Sequence, residues 1–276
     1  CNGGTIPGTE QSIFTGIVTL PPCVDWIMSW NTCCRNGGIS NLTSPDSQDL
    51  YVQSTLNNVA GACNNSPQFL ALPTPYLCPN QLTIYNHGAS DIDGDSLYYS
   101  FTSAFGGTTP PGTPLTYTAG YSPFNPILTT GGMNLNQQTG EMCFTPSVTQ
   151  ICVVSVIVYE YRNNVLIGTQ IREMQVVVSN SCSNTAPYAG NAPTCGNTGG
   201  LVITHAGPSV VQNDDNSLSM CPNDSLCFEI SFTDPDGNNV TVNTNIATAI
   251  PGASFNIVNN GSVNPIGYFC WAPTPL

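Results

Sequence analysis

Two stretches of this 276-residue chain carry the same punctuation in the same order, and that internal repeat limits the fold more than any other feature. "CPN" at 78–80 stands thirteen residues before Asp91, and "CPN" at 221–223 stands thirteen before Asp234. An acidic turn follows each time, "DIDGD" at 91–95 and "DPDGN" at 234–238. Next come an apolar strand ("SLYYSF", "NVTVNT"), a Gly-rich stretch and a matching strand, "GEMCFTPS" (140–147) or "GYFCWAPT" (267–274). The shared order of cysteine, aromatic and proline marks one module used twice. It divides the chain into an N-terminal β module at 1–74, a β-sandwich module at 75–181 and a second one at 182–276.

Sustained helical periodicity is almost absent. Short β-branched runs sit between clusters of Gly, Pro and Asn instead. "FTGIVTL" (14–20) and "VDWIMSW" (24–30) read as strands, the latter with Val24, Trp26, Met28 and Trp30 on one face predicted to enter a core. "ICVVSVIVYEYRNNVLIGTQIREMQVVV" (151–178) reads as a long hairpin turning at Arg162-Asn163-Asn164, because Asn tolerates left-handed backbone. The predicted fold class is all-β: tandem immunoglobulin-like β-sandwich modules, disulfide-stapled. In the first copy the hairpin follows the Cys-Phe-Thr-Pro strand, whereas the sequence stops before a counterpart in the second. Two readings follow: a piece of a longer polypeptide, or a neighbouring chain that donates the last strands.

Charge narrows the functions. Three basic residues, all Arg, against sixteen acidic ones give a formal charge of −13. A nucleic-acid groove needs clustered cations to release counterions, so nucleic acid is excluded as a partner. Attraction to an anionic membrane fails for the same reason. Without lysine there is no P-loop and no Schiff base. The longest apolar run (151–161) is too short to span a bilayer as a helix. Charged residues make up 7% of the chain, against about 25% in ordinary soluble domains. The 40% apolar content nonetheless argues for packed cores over disorder.

Thirteen cysteines point to an oxidising compartment, hence a secreted or surface protein. No Cys-x-x-Cys pair suits structural zinc or haem. The candidate bridges are Cys143–Cys152, Cys227–Cys270, Cys63–Cys78 and Cys195–Cys221. Cys23 is expected to bond one of Cys33 and Cys34, and the pairing of Cys1 and Cys182 stays open.

The acidic turns are the candidate metal sites. Calcium takes six to eight oxygens, and Asp91, Asp93 and Asp95 present carboxylates to one point; Asp234, Asp236 and Asn238 form a weaker copy. The competing reading is that Asp caps the turn while Gly supplies a positive φ. His87 is placed to add a nitrogen to the first turn or to hydrogen-bond its loop. Neither His87 nor His205 lies in a nucleophile motif, and no carboxylate pair stands out for glycoside hydrolysis. The expectation is a protein that is not an enzyme. The Pro- and Gly-rich loop 110–126 holds Tyr117, Tyr121 and Phe124 as a candidate glycan-binding surface.

As a set, "FTGIVTLPPCVDWIMSWNTCCRNGGISNL" (14–42), "CNNSPQF" (63–69), "YNHGASDIDGDSLYYSF" (85–101) and "VYEYRNNVLIGTQIREMQVVV" (158–178) resemble a known class. It is the repeat region of large Bacteroidota type IX-secreted surface proteins, the gliding adhesins with gliding-motility-associated C-terminal domains. The resemblance implies immunoglobulin-like or cadherin-like modules in a long protein at the outer surface, with roles in adhesion and gliding motility. The expected function is therefore a fragment of a cell-surface stalk or adhesin, whose partners are other modules of the same chain. A self-assembling filament subunit completed by neighbouring copies, and a carbohydrate-binding module recognising surface glycans, are the alternatives.

Overall fold

The computed structural model describes residues 11–69, 73, 76–180, 182, 184–192, 194–195, 201–214 and 217–274. Cys1 lies outside them. The chain is all-β, with 45% strand and 2% helix.

The strands of the first unit are β1 (Trp26–Thr32), β2 (Leu50–Leu56), β3 (Gln68–Phe69), β4 (Tyr76–Leu77), β5 (Thr83–Asn86) and β6 (Ala89–Ser90). They continue with β7 (Ser96–Phe101), β8 (Phe105–Gly106), β9 (Thr113–Pro114), β10 (Thr129–Leu135), β11 (Glu141–Pro146), β12 (Gln150–Arg162) and β13 (Val165–Val178). One sheet runs β7-β12-β13-β2-β8-β9, with β1 beside β2 and β4 parallel to β13. A second sheet, β10-β11-β5, packs against it. Tyr85, Met142 and Phe144 of the small sheet meet Val154, Val156 and Val158 of β12 and Met174, Val176 and Val178 of β13 in the main core. Asn163 and Asn164, at φ 51° and 63°, form the two-residue turn of the hairpin.

The apolar run in β12 is continuous because both of its faces are covered. Opposite the main core, Val153 packs with Ile39, Leu42 and Ala104. Buried Asn41 ties that layer to β12, donating from Nδ2 to the Val153 carbonyl at 2.8 Å and accepting the Val153 N–H at 3.0 Å. Arg35 and Glu173 form a buried ion pair, and Arg35 also donates to the carbonyls of Asp49 at 3.1 Å and Phe105 at 2.8 Å. In addition β2 pairs with β13, Gly168 standing opposite Leu56. Residues expected to form a separate module at 1–74 are thus part of the first sandwich, because β13 offers a free edge and β12 an uncovered face. Segment 14–20 joins no ladder, and Val24, Met28 and Trp30 are exposed rather than in a core, Phe14 alone stacking on the Trp30 ring among the described aromatics.

The second unit comprises β14 (Tyr188–Ala189), β15 (Val202–Ala206), β16 (Val211–Asp214), β17 (Ser217–Ser219), β18 (Leu226–Thr233), the single-turn helix α1 (Ile246–Ala249), β19 (Ser254–Val258) and β20 (Ile266–Trp271). Its sheet runs β14-β18-β20-β19, with β15 beside β18. The repeat is kept to the residue. Tyr85 opposes Met142 as Phe228 opposes Phe269, and Ile84 opposes Cys143 as Cys227 opposes Cys270. Asn80 donates to the Pro146 carbonyl at 2.8 Å, and Asn223 to that of Pro273 at 2.8 Å, both from left-handed backbone. Each copy opens with a two-residue strand at the head of its acidic turn, Gln68 opposite Ser90 and Tyr188 opposite Thr233. The first copy therefore begins near Cys63 rather than at 75.

The three long-range bridges follow strand faces rather than sequence proximity. Cys143 bonds Cys195 and not Cys152. Met142 and Phe144 point into the core, so Cys143 between them points out, whereas Cys152 is buried inside. Cys78 bonds Cys182 and not Cys63, because the parallel pairing of Leu77 with Val178 brings it to the end of β13. Cys227 bonds Cys270 across directly opposed positions. Cys33 bonds Cys34, while extended β1 holds Cys23 away from both. Cys23, Cys63, Cys152 and Cys221 are free, so Cys195–Cys221 does not form either.

Candidate functional site: paired acidic turns and an apolar groove

Both acidic turns are built alike. Asp91 Oδ1 accepts the backbone N–H groups of Asp93 at 2.9 Å and Asp95 at 3.1 Å; Asp234 Oδ1 accepts those of Asp236 at 2.8 Å and Asn238 at 3.4 Å. Gly94 and Gly237 close the turns at φ 78° and 75°, a conformation that favours glycine. The second aspartate of each turn then holds the incoming chain. Asp93 takes the Asn65 N–H at 2.7 Å and its Nδ2 at 3.0 Å, and Asp236 takes the Thr185 N–H at 2.5 Å. This clamp is absent from the sequence reading. Its signal was the matching "NNSPQF" (64–69) and "NTAPYA" (184–189), although the first begins 27 residues before Asp91 and the second 50 before Asp234.

Charge separates the turns. Carboxylate oxygens of Asp91, Asp93 and Asp95 lie within 4.8 Å of one another, a spacing that suits a cation. The cation placed there is Arg162. Its Nη2 donates to Asp95 Oδ2 at 2.6 Å, Asp93 Oδ2 at 3.2 Å and Asn64 Oδ1 at 2.8 Å, and its Nε to Asp95 Oδ1 at 2.9 Å. Hydrogen bonds from Asn65, with Arg162 beside it, hold the Asp93 carboxyl below its ordinary range. Glu160, 2% exposed, lies beneath and accepts Asn64 Nδ2 at 2.8 Å. Burial pushes its carboxyl up to about 7, and neighbouring Asp91 and Asp95 add to the shift. The second turn brings two carboxylates, Asp234 and Asp236, with Asn238 in place of the third; Asn238 donates from Nδ2 to Asn184 Oδ1 at 2.7 Å.

The remaining candidates disperse. His87 is fully buried, edge-on to the Tyr85 ring at 5.0 Å, and burial with Arg172 nearby drives its pKa down to about 3. It is a neutral core residue, not a ligand of the acidic turn. His205 Nε2 lies 2.7 Å from Ser225 Oγ on an exposed surface. Asp224 is engaged by Ser209 and the Ser225 N–H, so it does not orient His205 as a triad requires. Tyr117 packs on the Ile39–Val153 layer with its hydroxyl accepting the Ala104 N–H at 3.1 Å, and Tyr121 packs on the main core. Of the three residues named in loop 110–126, Phe124 alone is exposed, at 67%. They form no common surface.

The second unit presents an apolar groove of about 470 Å³, lined among others by Leu226, Phe228, Phe232, Phe255, Phe269 and Trp271. Phe228, Phe269 and Trp271 occupy the register positions of Tyr85, Met142 and Phe144, which the hairpin β12–β13 buries in the first copy. Residues 239–244, at the position of β7, contribute the isolated bridge Val240–Ser262. Leu218, Met220, Ile246 and Ile250 wall the groove, and within it Leu226 and Phe269 are buried. None of the described helices is long and apolar enough to cross a membrane. Comparison with protein-family models, with curated proteins and with solved structures found no match.

Proposed function

We propose that the chain is a non-enzymatic structural segment of an extracellular stalk or adhesin, of the kind that its sequence resembles in type IX-secreted Bacteroidota surface proteins. The observation that carries this reading is the joint between the units. Two disulfides cross it: Cys78–Cys182 and Cys143–Cys195 both tie the first sandwich to the segment entering the second. Ala186, Pro187 and Tyr188 close over Tyr76, Leu77 and Leu82 there, around a cleft of about 400 Å³. Disulfides form and persist in oxidising compartments, and a covalently locked joint resists the hinge motion that a spacer under tension must suppress. Calcium was expected to stiffen the turns. In the first turn Arg162 supplies that positive charge, and the reading adopted is an arginine-held turn.

Single-molecule pulling tests the proposal. Cys78–Cys182 encloses a sequence separation of 104 residues, which hides roughly 360 Å of contour from the applied force at about 3.5 Å per residue. Cys227–Cys270 hides a further separation of 43, roughly 150 Å at the same rise, so the oxidised chain is expected to extend less than the reduced chain by about the sum of the two. Equal extensions in both states would remove the mechanical reading.

A filament subunit is the second reading, favoured by the apolar groove of the second unit.

A further inference from the structure

We propose that segment Ile13–Leu20 is a strap that closes along β1 as an antiparallel strand, Phe14 opposite Trp30, and so governs access to an exposed aromatic stripe. The inference goes beyond the stalk reading, and every residue that carries it belongs to the first unit.

The surface to be covered is the outer edge of β1. This strand pairs with β2 along its whole length, from Trp26 opposite Leu56 to Thr32 opposite Leu50, and among the described residues it has no second ladder. Side chains alternate along a strand, so Trp26, Met28 and Trp30 share one face. Met28 and Trp30 are 41% and 43% exposed, and Val24 just ahead of them is 63% exposed. The stripe runs inward past Val52, which stands opposite Trp30, to Ile171 of β13; Met28, Trp30, Val52 and Ile171 border one shallow hollow. Unpaired backbone groups beside exposed aromatic side chains make such an edge an acceptor for an extended chain.

The chain ahead of β1 is already turned back towards that edge. Asn58, two residues past the end of β2, grips the reversal. Its Oδ1 accepts the Cys23 N–H at 2.6 Å, its Nδ2 donates to the Pro21 carbonyl at 3.0 Å, and its backbone N–H donates to the Cys23 carbonyl at 3.1 Å. Trp26 Nε1 donates to the same Pro21 carbonyl at 3.0 Å. At the far end Phe14 stacks on the Trp30 ring, the centroids 6.4 Å apart. Phe14 stands eight residues before Pro22 and Trp30 eight after it, so the two arms are equal in length.

Equal arms set one register, and the side chains agree with it on both faces. On the stripe side Phe14 meets Trp30, Gly16 meets Met28, Val18 meets Trp26 and Leu20 meets Val24. On the other side Thr15 meets Ser29, Ile17 meets Ile27 and Thr19 meets Asp25. Apolar residues thus oppose apolar ones and polar residues polar ones, as favourable cross-strand pairs require. A slip of one residue would turn the apolar set of the strap to the wrong face. Gly16 leaves room for the long Met28 side chain, and the proline after Leu20 holds that residue extended where the turn begins. In the structure the strap stands off the edge: no ladder joins it to β1, and Ile13, Phe14, Ile17 and Val18 are 77%, 78%, 101% and 71% exposed. Both anchors are made, and the ladder between them is what closure adds. Closing takes two apolar rows out of water together and gives the free backbone groups of β1 their partners.

Nuclear magnetic resonance on the full 276-residue chain tests the strap. Cross-strand Overhauser contacts are expected between Thr15 and Ser29, Ile17 and Ile27, and Val18 and Trp26. Alternate amides of residues 13–20 should exchange with solvent about tenfold more slowly than in Val18→Asp, which sets a charge against the Trp26 ring. Gly16→Val should slow them several-fold further by raising strand propensity, at a position where an added Cβ meets nothing within 4 Å. Amides of β12 and β13 are expected to keep their protection in both variants, which separates an opened strap from a lost fold. Equal exchange of the segment in all three proteins, contacts from it to residues outside β1, or contacts between copies in isotope-filtered spectra would overturn the proposal.

Discussion

The first unit closes over its small sheet with a long hairpin and the second leaves an apolar groove at the equivalent sheet, yet both keep the same register, the same Asn–Pro hydrogen bond and the same aspartate clamp. What differs is long-range cover and positive charge. All three arginines of the chain serve the first unit: Arg35 meets Glu173, Arg162 meets Asp93 and Asp95, and Arg172 lies over the Phe69 and Tyr85 rings. The second unit has none, and the third aspartate of its turn is replaced by Asn238. Local chemistry thus builds the half-sandwich by itself, while completing it takes a hairpin and buried cations from elsewhere.

If that division is right, the two units fail independently, and Arg35→Ala is the harshest way to show it. The substitution leaves Glu173 buried without its cation, a loss of roughly 3–5 kcal/mol. Calorimetry should find the unfolding transition of the first unit lowered by many degrees and that of the second unmoved. A single transition that shifts as a whole would mean that the crossing disulfides merge the units into one cooperative body.

How much of this was readable beforehand depends on range. Alternation and Gly/Asn punctuation gave the all-β class, the hairpin at 151–178 and the repeat, because turns and strand faces are set by neighbours in sequence. The fate of residues 26–56 was not readable: β2 joins β13 because a free edge and an uncovered face lie more than a hundred residues away. Cys143 shows the same limit in miniature. Proximity suggested Cys152, yet the apolar neighbours Met142 and Phe144 already implied an outward thiol. Arg162 was read as a turn residue, since no local pattern shows that a hairpin tip will reach three aspartates. Tyr117 and Tyr121 looked like loop aromatics for want of any sign that residues 39–42 and the main core would receive them.

A gentler probe uses the buried carboxyl under the first turn. Glu160 titrates near 7 in the folded chain against an ordinary value of 4.5, so the folded state holds its proton more tightly than the unfolded state does. Its contribution is present in full below about pH 4.5 and is lost as pH climbs through about 7, a change on the order of 2–3 kcal/mol. The first-unit transition should therefore fall across that window while the second stays level. Glu160→Gln mimics the protonated form and should flatten the curve, leaving the variant the more stable protein at about pH 8. A wild-type curve as flat as that of the variant would show that Glu160 is ionised throughout.

The smallest expected effect bears most directly on why the turns diverged. Arg162 is partly exposed, so solvent screens its ion pairs and Arg162→Ala should lower the first transition only slightly. It also leaves Asp91, Asp93 and Asp95 facing one another without a counter-charge, the arrangement that calcium recognises. Added calcium is then expected to raise the first transition of the variant and to leave wild type unchanged, because the guanidinium already fills the position. The second turn, with one carboxylate fewer, should ignore calcium in both proteins. A calcium-dependent rise in wild type would mean that the ion displaces Arg162, and that the third aspartate is kept for a metal rather than for the arginine.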